Sequence, residues 1–201
     1  MQKFMIGAAV MLALATVSCQ RPKDEEVTPT ESALPVVRVT NLAVQPSTGS
    51  FTLYSLKDNK QVANSDSATT KWDIGFRSTT LIFNAASRGP GAGGALMQTG
   101  IFSDFATAPT TGYRLDTSAV APPVYAVIPS SGKGWYDYNA TANTITPSAG
   151  KFIAVRTAEG KYAKLEILSY YKDAPATPDA TSIARNYNFR FVYQPNGTKL
   201  K

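Results

Sequence analysis

Apolar and polar residues alternate with a period of two along most of this chain, and that alternation predicts strands. "VVRVTNLAV" (Val36 to Val44) alternates and is rich in β-branched side chains, and "FTLYSL" follows after a turn at Pro46–Gly49. In "KWDIGFRS" the spacing puts Trp72, Ile74 and Phe76 on one face, and "TLIFNA" (Thr80 to Ala85) reads as a nearly continuous apolar strand. "KFIAVRT" runs through Ala158-Glu159-Gly160 into "KYAKLEILSYYK", a hairpin in which Gly160 is free to take a positive φ. In the second arm Tyr162, Lys164, Glu166 and Leu168 share one face, while Ala163, Leu165, Ile167 and Ser169 share the other. "YNFRFVYQ" (Tyr187 to Gln194) supplies the last strand.

No segment sustains a helical stripe, although "IFSDFATA" (Ile101 to Ala108) allows one short turn capped by Ser103 or Asp104. Irregular stretches are expected at 86–100, 107–134 and 173–185. The pattern predicts an all-β, mostly antiparallel sheet domain over residues 36–201, with long irregular loops at one end. Loops on a rigid sheet are where binding residues tend to sit.

The first 18 residues read differently. Lys3 precedes an unbroken apolar run from Phe4 to Ala15, too short for a comfortable bilayer span and ordered like a secretory signal. The run ends in "TVSC", which resembles a bacterial lipoprotein cleavage box, with Thr16 where leucine is commonest. Cys19 is the single cysteine, so an exported chain has no internal disulfide to form, and lipidation of Cys19 accounts for it. Residues 19–35 are polar and proline-containing, the composition of a flexible tether. Within them, Lys23-Asp24-Glu25-Glu26 resembles the lysine-plus-acidic signal that sends some lipoproteins to the outer face of the outer membrane. The expectation is an outer-membrane lipoprotein, displayed at the cell surface and held to the membrane through its lipid alone.

Charge and composition narrow the function. Lys3 leaves with the leader, so 19 basic side chains face 14 acidic ones and the net charge falls from +6 to +5. The bases are scattered singly, which argues against nucleic acid and for smaller anionic partners. With no histidine anywhere, Ser-His and Cys-His nucleophile pairs are unavailable, and the domain's acids are isolated. "SRGPGAGGA" lacks the Gly-Lys-Ser/Thr ending of a phosphate loop. The chain is not expected to be an enzyme.

"GWYDYNATANTITPSAG" (Gly134 to Gly150) concentrates Trp135, Tyr136 and Tyr138 at the mouth of a loop, a composition suited to a flat ligand. This stretch, together with "KWDIGF", "RGPGAGGALMQTG" and above all "IAVRTAEGKYAKLEILSYYK", resembles the HmuY-like haem-binding surface lipoproteins from about Lys71 to Tyr193. The resemblance implies an all-β fold with a haem pocket between loops, and delivery of haem to an outer-membrane TonB-dependent receptor. It also implies two axial ligands, histidine or methionine, on separate loops. One position falls within Thr110–Pro129 and the other near Asn143, and neither segment contains either residue type.

The ligands left are few. Iron in haem is held by His, Met, Cys or Tyr, and Met97 is the one methionine outside the leader. Met97 lies in "GGALMQTG", which reads as sheet, so it is a weak metal candidate. Tyr113 and Tyr125 lie on the first-loop segment, with Tyr136 and Tyr138 before the second. A phenolate ligand needs its pKa lowered from about 10, for which Lys133 or Arg114 is the expected neighbour. The haem-pocket candidates are therefore Tyr113, Tyr125, Trp135, Tyr136, Tyr138 and Asn143, with stacking on Trp135 and the tyrosines as the main attraction. The alternative is the same fold used for glycan or protein binding, with an exposed Trp135 serving equally well.

Overall fold

The alternating segments pair into two antiparallel sheets, one on either side of a shared apolar layer. The computed structural model describes residues 33–117 and 122–201. The leader, Cys19 and the Lys23–Glu26 segment lie outside the described residues.

The strands in chain order are β1 (Val37–Ala43), β2 (Thr52–Ser55), β3 (Lys60–Val62), β4 (Ile74–Arg77), β5 (Thr80–Phe83) and β6 (Gly94–Thr99). They continue with β7 (Tyr136–Asn139), β8 (Thr144–Pro147), β9 (Lys151–Arg156), β10 (Tyr162–Tyr171) and β11 (Ala184–Gln194). The larger sheet has the order β1-β11-β10-β9-β6, the smaller one β3-β2-β4-β5, and β7 and β8 form a separate hairpin. The fold is all-β and antiparallel, as the alternation predicts. Among the described residues the one helical element is a single 3-10 turn at Asn64–Asp66.

Aromatic rings dominate the layer between the sheets. Phe76 of β4 stacks on Phe189 at 5.5 Å and tilts against Tyr187 at 4.9 Å, while Tyr54 of β2 meets Phe189 edge-on. Leu165 and Ile167 of β10 and Ile153 and Val155 of β9 complete the same cluster. Each ring buried here removes a large apolar area from water, and edge-on or offset contacts add about 0.5–1.5 kcal/mol per pair.

A second, smaller core covers the outer face of the larger sheet. Phe102 and Phe105 pack on Phe152, with Val192 and Leu200 beside them and Leu34 against the edge, so packing reaches back to a residue just ahead of Val36. Lys164 sits in the middle of this face, almost wholly buried, with its ammonium donating to the carbonyls of Phe102 and Phe105 at 2.9 Å each. Those two bonds explain the conformation of "IFSDFATA". It forms a simple turn, Asp104 N–H to the Ile101 carbonyl at 3.0 Å, and gives its carbonyls to a lysine rather than to a helix.

Three expectations from the alternation need correcting. First, Trp72 does not share a face with Ile74 and Phe76. The chain bends at residues 71–73, and Asp73 turns its carboxylate inward to accept from the N–H groups of Leu56 (2.8 Å) and Ala158 (2.9 Å). Trp72 is therefore placed on the opposite side of the smaller sheet, packed with Leu53, Val62 and Ile82. Second, the stretch 86–100 is not wholly irregular, because β6 runs through it and pairs with β9. Third, the hairpin β7–β8 occupies a stretch that reads as loop.

The glycine-rich segment before β6 has a packing reason. It wraps Asn84, fully buried, whose amide donates to the carbonyls of Thr69 and Trp72 and whose oxygen accepts from Gly91 N–H at 3.0 Å. A side chain at Gly91 would meet the Asn84 carbonyl at 2.5 Å, so the backbone passes only without a Cβ.

Candidate ligand-binding site

The loop between β6 and β7 is ordered by one buried carboxylate. Asp116 has no exposure, and its two oxygens accept from Phe83 N–H at 2.7 Å and from Ala126 N–H at 2.8 Å. Burial pushes its pKa up, while the two donors and the Arg88 charge hold it down. One bond reaches the end of β5 and the other reaches across the loop, so Asp116 gathers both limbs. The limbs also pair with each other, Thr117 with Val124 through N–H to carbonyl bonds of 2.8 and 3.1 Å. Arg114 exchanges two 3.0 Å backbone bonds with Ala95 on edge strand β6.

The hairpin is closed by its asparagines. The side-chain oxygen of Asn139 accepts from the N–H groups of Thr141 and Ala142 at 3.0 Å each, and Asn143 takes φ of 50°, a left-handed conformation that asparagine tolerates. The hairpin then docks on the larger sheet, where the Tyr171 hydroxyl accepts from Ile145 N–H at 2.8 Å.

Loop and hairpin adjoin. Ser131 Oγ accepts from Tyr138 N–H at 2.8 Å, Gly132 N–H donates to the Tyr136 carbonyl at 2.9 Å, and the Tyr136 hydroxyl donates to the Pro129 carbonyl at 3.3 Å. Beside this seam is a cavity of about 300 Å³ lined by Arg114, Pro123, Val124, Tyr125, Ile128 and Pro129. Leu115, Val124, Ile128 and Tyr138 are all more than a third exposed. They are four of the eight exposed large apolar side chains among the described residues.

The candidate residues fall into unlike places. Trp135 is not exposed. It retains 3% of its surface, donates from Nε1 to the Thr79 carbonyl at 2.9 Å, and is ringed by Tyr136, Tyr170 and Tyr187 at 5.1–6.0 Å. Its faces are occupied by the core, which corrects the expectation of an exposed tryptophan, and Tyr136 at 8% exposure is packed in the same cluster. Tyr138, two residues on, points outward and donates from its hydroxyl to Asn143 Oδ1 at 3.0 Å.

Tyr113 lies over the larger sheet, with its ring centroid 6.1 Å from that of Tyr162 and the Arg156 guanidinium 5.4 Å away. Its hydroxyl is buried and has no partner among the described residues. Burial first, and the Tyr162 phenol second, push its pKa up to about 12 against the opposing pull of Arg156. The cation that faces it is thus neither Lys133 nor Arg114, and the net shift is upward, so Tyr113 stays a neutral phenol at ordinary pH. Tyr125 is half-buried with the Arg88 guanidinium 5.5 Å over its ring. Met97 is in the sheet, opposite Ile153 and packed against the main core.

For haem, the residues fit in part. The apolar wall and the arginine suit a porphyrin with acidic edges, whereas the donor set lacks the paired histidines or methionines that the resemblance implies. Among the described residues no three His, Cys, Asp or Glu side chains converge. Sequence reasoning missed Asp116 and Arg88, since a lone acid and a lone base inside irregular segments carry no pattern to read.

Fold and cavity together define an all-β scaffold with a loop-lined candidate pocket. The profile of the HmuY protein family matches residues 47–184, more than half of the chain, and the chain belongs to that family. No curated protein sequence matches it. Among solved structures, it resembles the ligand-free HmuY analogue of Tannerella forsythia with a TM-score of 0.57 at 14% identity, covering 82% of this chain and 98% of that one. It also matches a candidate lipoprotein of Bacteroides fragilis (TM-score 0.48, 15% identity, 80% and 91% covered). A third match is a candidate HmuY-like haem-binding protein of Bacteroides vulgatus (0.46, 16%, 79% and 90%).

Proposed function

We propose that this protein is a surface lipoprotein that binds haem or a related porphyrin and passes it to an outer-membrane TonB-dependent receptor. The observation that carries the proposal is the seam between loop and hairpin, where exposed Val124, Ile128 and Tyr138 lie on adjoining segments with Arg114 beside the cavity. Membership of the HmuY family supports it. In this reading Cys19 carries the lipid and Lys23–Glu26 directs display.

Contact with the porphyrin face supplies most of the affinity. Covering a few hundred Å² of apolar surface is worth several kcal/mol at about 25 cal/mol per Å², before ordering costs. Arg114 sits where a bidentate bond to a carboxylate edge group is available. Tyr138 is the tyrosine best placed to meet iron, because its hydroxyl is at the surface and lies 3.0 Å from Asn143, the position at which the family's second ligand is expected. Haem itself supplies the iron and the visible absorbance. The protein's own part is to hold and release it, with no bond made or broken in the cargo.

Titrating the full-length chain with ferric haem tests this. Saturable binding is expected at micromolar protein, with a high-spin spectrum lacking the low-spin signature of two strong axial ligands. Ile128→Asp should weaken binding, and Asn143→His should strengthen it and shift the Soret band to the red. If neither wild type nor Asn143→His binds saturably, the haem reading fails. The same exposed Tyr138 and Ile128, with no histidine in the chain, would then favour a glycan- or protein-binding surface.

A further inference from the structure

A second cavity, of about 470 Å³, lies on the outer face of the smaller sheet. Its floor is built by strand register. Leu53 of β2, Gly75 of β4 and Ile82 of β5 stand opposite one another across three neighbouring strands and share one face. Gly75 contributes no side chain to that row. A Cβ there would meet Ile82 Cγ1 at 2.7 Å and Leu53 Cδ2 at 3.2 Å, so the two flanking side chains close over the glycine and leave an apolar floor. Phe51 and Trp72 flank it, and Trp72 is held by a 2.9 Å bond from Nε1 to the Ser67 carbonyl.

The rim carries a cation that forms no ion pair among the described residues. Arg88 lines the cavity, its Nε is buried, and that nitrogen donates to no atom among the described residues. No carboxylate among them lies within ion-pair distance of it. The acid whose charge it does feel is Asp116, and both oxygens of Asp116 already accept backbone N–H groups. The guanidinium stands over the ring of Tyr125, 5.5 Å from its centroid. A half-buried guanidinium with no ion-pair partner among the described residues, next to an apolar floor, matches one ligand chemistry well, because its planar fork pairs best with a carboxylate. A cavity of this size takes a small organic molecule.

We infer that this cavity is a second binding site, for a flat apolar carboxylate of one or two fused rings, with Arg88 taking the carboxylate and the Leu53–Ile82 floor taking the rings. The site shares no lining residue with the cavity beside the hairpin, and the two adjoin where Arg88 meets the Tyr125 ring, where Tyr125 packs against the Leu53–Ile82 cluster and where Ser87 Oγ donates to the Asp116 carbonyl. The inference stands independently of the haem reading.

Calorimetric titration of the full-length chain with 2-naphthoate, and with the uncharged 2-naphthamide as comparator, tests it. Wild type should bind one naphthoate saturably and prefer it to the amide by about tenfold or more, the scale of a charge-assisted hydrogen bond. Arg88→Gln should abolish that preference, and Arg88→Lys, which keeps the charge but loses the planar fork, should keep only part of it. Added haem should leave naphthoate binding unaltered. Absence of saturable naphthoate binding at millimolar ligand would overturn the inference. So would equal affinity for acid and amide in wild type, which needs no variant to fold, or competitive displacement by haem.

Discussion

The hairpin β7–β8 and the loop that precedes it meet through three hydrogen bonds, yet they treat their large side chains in opposite ways. Where the hairpin begins, Trp135 and Tyr136 turn into the sandwich, and their polar atoms are satisfied by the carbonyls of Thr79 and Pro129. The loop is held from within by a charged group, Asp116, and leaves Leu115, Val124 and Ile128 in contact with solvent. Aromatic density therefore marks the part that closes the core. A proline- and valine-rich stretch with a buried acid marks the part that leaves apolar side chains open to solvent. Tyr138 is the residue at which the two behaviours change over.

The comparison is broken most severely at Trp135. If that ring belongs to the core, Trp135→Ala should lower unfolding free energy by about 3–5 kcal/mol in denaturant melts. A loss below about 1 kcal/mol, with ligand binding impaired, would return Trp135 to the ligand surface.

Asp116→Ala comes next. It leaves the Phe83 and Ala126 N–H groups without acceptors, each worth about 1–3 kcal/mol, while relieving the burial of a carboxylate, for a net loss of about 2–4 kcal/mol. Hydrogen exchange should rise at residues 122–130 before it rises in β10 or β11. Uniform protection across both would mean that the loop does not depend on Asp116.

The smallest structural effect belongs to Tyr138→Ala. The ring is exposed and its hydroxyl bond to Asn143 is at the surface, so stability should change by no more than about 0.5–1 kcal/mol. Porphyrin affinity should nevertheless fall. A stability loss as large as that of Trp135→Ala would place Tyr138 in the core and dissolve the distinction drawn here.

What the amino-acid order determined alone is the class of fold and the inward face of its long strands. Ala163, Leu165 and Ile167 are buried in the main core and Gly160 turns at φ of 74°, because side-chain alternation and turn geometry are local properties of three or four neighbouring residues. Tertiary structure decided everything at which the chain leaves its ladder. Trp72 changed sides because Asp73 found two N–H donors, one of them 85 positions away in sequence. Lys164 lies buried on the face that it shares with Glu166, because the carbonyls of Phe102 and Phe105 were brought to it. Trp135 and Tyr138 differ by three positions and have similar composition around them, yet one is sealed by Tyr170 and Tyr187 and the other meets solvent. Burial of a loop residue depends on which distant strand passes over it, and no pattern of near neighbours encodes that crossing.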